Sequence, residues 1–171
     1  MNIVLVAHNP KWRQRFEAEA EIVAAAFGPA VVAIHHIGST AIPGILAKPI
    51  IDMLAEATAI EGVDERTPHI EALGYEAKGE FGIPLRRYFR KDVSGIREYQ
   101  IHAFATSSGE VARHLAFRDY LRSHPDVAQE YSQLKRELSK QYPSDMGAYT
   151  DAKAPFIKAV ERAALAQQRS A

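Results

Sequence analysis

The stretch from His35 to Glu56, HHIGSTAIPGILAKPIIDMLAE, sets the terms on which the rest of the chain folds. A β-branched run, VVAI at 31–34, feeds into it. Gly38, Ser39 and Thr40 form a small-residue turn, Pro43, Gly44 and Pro49 punctuate a loop, and a second apolar run from Ile50 to Ala55 carries a single charge, Asp52. The pattern is strand, loop, strand, and the apolar content of both runs reads as burial in a sheet. A lone carboxylate among Ile50, Ile51, Met53 and Leu54 is costly unless it is paired, hydrogen-bonded or holding a metal. Asp52 is therefore the leading candidate for function.

The turn and the aspartate together suit phosphate chemistry. Gly38 lets the backbone approach a ligand closely or take a positive φ, Ser39 and Thr40 add hydroxyls, and concave turns of backbone amides bind anions. Asp52 supplies a hard oxygen of the kind magnesium takes alongside phosphates and water. Two plainer accounts fit the same residues: Gly-Ser-Thr before Pro-Gly is ordinary turn chemistry, and a strand aspartate also anchors loop amides.

At 171 residues the chain is expected to form one domain, sheet-rich over 1–106 and helical over 107–166. Lys and Arg number 21, as do Asp and Glu, so no global basic field draws nucleic acid, and contact with it would need a local patch. Cysteine is absent, which removes disulfides, thiolate metal sites and cysteine nucleophiles. Met1 to Ala7 reads as a strand and not as a signal peptide, and no apolar run reaches the roughly 20 residues a bilayer needs, so a cytoplasmic protein without membrane association is expected.

Along the chain, Asn9 and Pro10 start a helix of four to five turns whose stripe is Trp12, Phe16, Ala20 and Val23, closed by Gly28 and Pro29. A second helix spans about Ile60 to Leu73 and ends at Gly74. A basic strand follows from Leu85, with Arg86, Tyr88 and Arg90 on one face and Arg87 and Phe89 on the other. Ser94-Gly95 turns it back into a strand where Gln100, His102 and Phe104 share a face. Arginines on such a hairpin are ordinarily a solvated face or an edge guard. Beyond Gly109 the pattern is helical: Glu110 to Arg122, Pro125 to Gln141, and a third helix capped by Ser144 or Asp145 in which Pro155 causes a kink or a late start, with fraying after about Ala166.

These residues resemble the GrpB family over nearly the whole chain: His8-Asn-Pro-Lys-Trp; His36-Ile-Gly-Ser-Thr-Ala-Ile-Pro-Gly with Ala47-Lys-Pro-Ile-Ile-Asp; Arg87-Tyr-Phe-Arg-Lys; Ile101-His102; His114-Leu-Ala-Phe-Arg-Asp-Tyr-Leu-Arg; and Tyr149 with Lys153 and Phe156. The resemblance implies an α+β, nucleotidyltransferase-like fold: a mixed sheet with helices on one side, a Gly-Ser loop for triphosphate and acidic strand residues for magnesium. The wider superfamily places two carboxylates one residue apart on the strand after the Gly-Ser loop, to clamp two metals for in-line displacement. Here the partner position of Asp52 is Leu54, and Glu56 lies about 13 Å further along at strand rise.

Three functions are open, the last a structural or interaction domain in which Asp52 and His102 have purely internal partners. In the first, an enzyme transfers a nucleotidyl or phosphoryl group from a nucleotide to a small acceptor. Asp52 and His102 would hold a divalent ion, magnesium or manganese. Gly38, Ser39, Thr40 and Lys48 would meet phosphates, Arg86, Arg87 and Arg90 would clamp charge, and Lys135 and Lys153, on inward helical stripes, would complete the site. Both lysines would serve equally well as salt bridges between helices. In the second, the chain is a receptor for a nucleotide or phosphorylated small molecule that has lost the second carboxylate and with it the chemistry.

Overall fold

The computed structural model describes residues 2–170. Helix α1, Lys11–Phe27, begins where Asn9 accepts the Lys11 amide on its side-chain oxygen at 2.9 Å, and it ends at Gly28, whose φ is 59°. Strands β1, Val31–Ile37, and β2, Ile51–Ala57, flank the small-residue loop. Helix α2 is Ile60–Glu71, and β3 is the two-residue strand Glu76–Ala77. The hairpin of β4, Arg87–Val93, and β5, Ile96–Ala105, turns at Ser94 and Gly95, both with positive φ, as a tight two-residue loop requires. Helices α3, Glu110–Ser123, α4, Pro125–Gln141, and α5, Met146–Ser170, complete the chain. Asp145 caps α5 by accepting the Ala148 amide, Pro155 lies inside that helix, and α5 continues past Ala166.

The five strands lie in the order β1-β2-β5-β4-β3, with β2 and β5 parallel and every other pair antiparallel. The side-chain period of two divides β2 between the two faces. Ile51, Met53, Ala55 and Ala57 enter the main core with Trp12, Val23 and Phe27 of α1 and Val63 and Ile70 of α2. Leu54 turns to the opposite face, where Ile37, Phe104 and Val111 of α3 enclose it. The expectation of helices on one side holds for α1 and α2, but the C-terminal helices cover the other face, and Asp52 lies between that face and them. A further apolar cluster joins Ile42 and Ile45 of the loop to Leu121, Ala128, Tyr131 and Val160.

The segment before α1 departs from the expected strand. Met1 lies outside the described residues, and of the rest only Val6 pairs, in an isolated antiparallel bridge to Ala47. An apolar run makes a strand only where its backbone runs along a sheet edge, and this one meets loop residues instead: Val6 pairs with Ala47, and the Ile3 amide donates to the Pro143 carbonyl at 2.8 Å. Among the described residues no helix is long and apolar enough to cross a membrane.

Candidate functional site

Loop 38–50 is held in place by α4. Ser132 Oγ accepts the Leu46 amide at 2.9 Å, and Gln129 donates to the Gly44 carbonyl at 3.0 Å. Lys135 Nζ donates to the Leu46 carbonyl and, at 2.7 Å, to Ser39 Oγ. Gly38 has φ 74°, and a Cβ placed there would stand 2.7 Å from Asp52 Oδ2. Glycine is therefore required twice at this position, by backbone conformation and by the carboxylate against it.

Around Asp52 the structure gathers Gly38, Ser39, Thr40, Lys48, Lys135 and Lys153 into a cavity of about 160 Å³. Lys135 is 2% exposed. Burial, and then the charges of Lys153 and Lys48, push its pKa down to about 7. Lys153 is pushed down to about 8 by burial and by Lys48, against the attraction of Asp52. Burial lowers Lys48 as well, again opposed by Asp52. Among the described residues none of these lysines stands within ion-pair distance of a carboxylate, so the salt-bridge account of Lys135 and Lys153 fails. Each instead lies over an aromatic ring four residues earlier on its helix: Lys135 is 4.8 Å from the Tyr131 centroid and Lys153 is 4.5 Å from that of Tyr149.

An adjoining cavity of about 580 Å³ shares Gly38, Asp52, Gln100, Tyr131 and Lys153 and adds His102, Arg86 and Tyr88. Arg86 Nη1 lies 3.3 Å from His102 Nδ1, and His102 Nε2 lies 3.2 Å from Asp52 Oδ1. A guanidinium can only donate, so Nδ1 accepts, and the ring proton sits on Nε2 and points at Asp52. Arg86, 7% exposed, also ties down the preceding loop by donating to the carbonyls of Glu80 and Phe81.

The expected metal pair fits this arrangement poorly. Both nitrogens of His102 are engaged, and ligation through Nε2 would require that proton to leave. Leu54 packs against Phe104 and Val111 where a second carboxylate would stand, and Glu56 turns to His35 and Thr106. Among the described residues no group of three His, Cys, Asp or Glu side chains gathers in a metal-holding arrangement. One carboxylate facing three ammonium groups does not suit a two-ion clamp.

Two expected phosphate ligands lie elsewhere. Arg87 makes a bidentate pair with Asp64 of α2, at 2.7 and 3.1 Å, and Arg90 pairs with Glu76 of β3 at 3.2 Å. Neither lines the cavities. Thr40 does, but its hydroxyl is committed to His36 Nε2 at 2.9 Å. Sequence reasoning did not assign Tyr131 and Tyr149 to the site. The signal was present, as the same spacing of tyrosine four residues before lysine in two successive helices.

The profile described as GrpB protein matches residues 2–163. The UPF0157 protein YqkA of Bacillus subtilis is 44% identical over 159 residues, and the match covers 93% of this chain but 46% of that relative, so the chain spans about half its length. The glutamate-rich protein GrpB of Alkalihalophilus pseudofirmus is 33% identical, with 91% of each chain covered. A dephospho-CoA kinase of Mycolicibacterium paratuberculosis is 26% identical over a match covering 94% of this chain and 45% of that protein. Among solved structures, the conserved protein GrpB from Enterococcus faecalis superposes with a TM-score of 0.90 at 38% identity, covering 96% of this chain and 99% of that one. Cid1 poly(U) polymerase with Mg 3'-dATP bound superposes at a TM-score of 0.58 and 11% identity, over 85% of this chain and 49% of that one. The GLD-2/RNP-8 complex superposes at 0.58 and 12%, over 86% and 54%. The last two are alike in fold alone, which is that of nucleotidyltransferases. On the profile match and the relatives together, the chain belongs to the GrpB family.

Proposed function

We propose that this chain binds a nucleotide or another phosphorylated small molecule, with the phosphates among Lys48, Lys135 and Lys153 beside the Ser39 turn. The observation that carries the proposal is the charge imbalance: three lysines face a single carboxylate, Asp52, in a small, half-enclosed space, and that carboxylate is ion-paired to none of them but bonded to His102. Such a site is held in tension by its own repulsion, and a polyanion relieves it. The adjoining cavity, with Tyr88 and Phe117 in its walls, has the size and aromatic character that suit the organic part of the ligand. No resident ion is needed, because lysines neutralise the phosphates directly.

Transfer of a nucleotidyl group is the second reading, supported by the chain of hydrogen bonds from Arg86 through His102 to Asp52. Asp52 would accept the proton of an acceptor hydroxyl as its oxygen bonds the α-phosphorus, the bond to pyrophosphate breaks, and the lysines stabilise the departing charge.

A thermal-shift screen tests binding. Phosphate, pyrophosphate, ATP, UTP and dephospho-CoA would each be added in EDTA, and again with magnesium or manganese. Dephospho-CoA enters because a kinase named for it contains a similar stretch. A ligand at 100 times its Kd stabilises the fold by about 2.7 kcal/mol, and the expected result is a rise in Tm in EDTA. No rise for any phosphate in either condition would end the proposal. Pyrophosphate release from a nucleotide, abolished by Asp52→Asn with binding retained, would establish transfer.

A further inference from the structure

Thr40 stands in the walls of two cavities. The second, of about 640 Å³, opens between α1 and α3 beside the edge strand β1 and contains no part of the lysine cluster. Arg118 and Arg122 of α3, four residues apart on one helical face, both reach it. Arg118 donates to the His36 carbonyl at 3.1 Å and to Asp119 at 2.8 Å. Arg122 gives Nε to the Ala41 carbonyl at 2.8 Å, and among the described residues its two terminal nitrogens have no hydrogen-bond acceptor and no carboxylate. The carboxylate in the wall, Glu17, is already held by Arg13 at 3.1 Å.

A second observation is independent of the arginines. His8 Nδ1 is buried and has no hydrogen-bond partner among the described residues. A buried polar atom is ordinarily satisfied, and this one, closed off as the ring now lies, would gain a partner if the ring turned toward a ligand in the cavity. Burial and the charge of Arg122, assisted by Arg118, drive His36 down to about 4, opposed only by Asp52. Of these causes, the charges of Arg122 and Arg118 are the ones that would also attract an anion. The body of the cavity is apolar and flat: Phe16 stacks on His36 with centroids 4.6 Å apart and planes 7° from parallel, and Ile34 and Pro43 adjoin them.

We propose that this cavity is a second binding site, taking the phosphoryl end of a small molecule on Arg122 and His8 while the rest of the molecule lies along Phe16, Ile34 and Pro43. A terminal phosphate matches the free fork of Arg122 better than a halide does, because the guanidinium donates two parallel hydrogen bonds. The site does not depend on the lysine cavity.

The test follows the ring signals of His8 and His36 by NMR as inorganic phosphate is added to the full chain, against sodium chloride at matched ionic strength. Phosphate is expected to shift both rings saturably, and chloride is not. Arg122→Gln should weaken the response of His36 by about tenfold or more, the scale of one charge-assisted hydrogen bond. His8→Phe, which keeps the edge contact with Trp12, should weaken it several-fold and decides the matter if Arg122→Gln does not fold. Lys153→Gln should leave the His8 and His36 responses intact, whatever becomes of phosphate binding among the lysines. The proposal is overturned if the rings do not respond, if chloride reproduces the response, or if the response of His36 survives both Arg122→Gln and His8→Phe.

Discussion

The two faces of the sheet handle buried charge in opposite ways. Toward α1 and α2, the buried Glu19 is fully answered: Tyr75 donates to it at 2.9 Å and Lys91 at 2.9 Å. Toward α4 and α5, Lys135 is at least as deeply buried and has only a hydroxyl, a carbonyl and an aromatic ring. A buried charge without its counter-charge costs free energy. The first face is built for stability, and the second stores a cost that a bound anion would offset. Substitutions on the first face should therefore change stability and spare binding, and those on the second should do the reverse.

The largest expected effect is on the first face. Phe27 is fully buried, edge-on to Phe89 at 6.0 Å between centroids. Phe27→Ala should cost about 3–5 kcal/mol in urea unfolding, with phosphate affinity unchanged in the fraction that remains folded. A matching loss of affinity would show that the two faces are not separable.

Gly38→Ala should act on both properties. Its φ of 74° is strained for alanine, and the new Cβ meets Asp52 Oδ2 at 2.7 Å. A stability loss of at least about 1–2 kcal/mol is expected from the backbone, together with weaker ligand binding as Asp52 is pushed aside. Wild-type stability and affinity in this variant would mean that loop and strand have more slack than the contact implies.

The lysine face carries a pH signature. Lys135 falls to about 7 in the fold from 10.5, and Lys153 falls to about 8. Between those values and 10.5 the unfolded chain binds more protons, so these groups make stability rise with pH across that window; below about 7 their cost is fully present. In ligand-free protein the rise should flatten in the double variant Lys135→Met, Lys153→Met, which should also be as stable as wild type or more so at pH 7. Unfolding curves at several pH values decide this, and an unchanged slope would contradict the assignment of buried, unpaired ammonium groups.

How much of this was legible in the sequence follows from the range of each interaction. Asp52 stood out because one charge broke an apolar strand, and Leu54 showed the missing carboxylate by its position alone. The inward placement of Lys135 followed from helical spacing, and the turn at Ser94-Gly95 from its residue types. Arg87 and Arg90 were misplaced because strand parity gives a face and not a partner: Asp64 is 23 residues away in sequence and Glu76 is 14. The second hydrogen bond of His102 was hidden for the same reason, since Arg86 reaches it across the hairpin.

The smallest effects should come from those displaced arginines. Arg87→Ala and Arg90→Ala remove partly exposed ion pairs, whose worth is about 0–1 kcal/mol each, and neither should alter phosphate binding. Loss of binding in either variant would place a ligand on the hairpin edge and away from the lysines.

The central claim is that the lysines hold phosphate without a resident metal. Calorimetric titration of pyrophosphate at pH 7 in EDTA, into wild type and into Lys135→Met, Lys153→Met, tests it most directly. The account predicts binding by the wild type, accompanied by proton uptake as Lys135 regains its charge, and affinity lower by about tenfold to a hundredfold in the double variant. Equal affinity in the two proteins, or binding that occurs only when manganese or magnesium is restored, would contradict it.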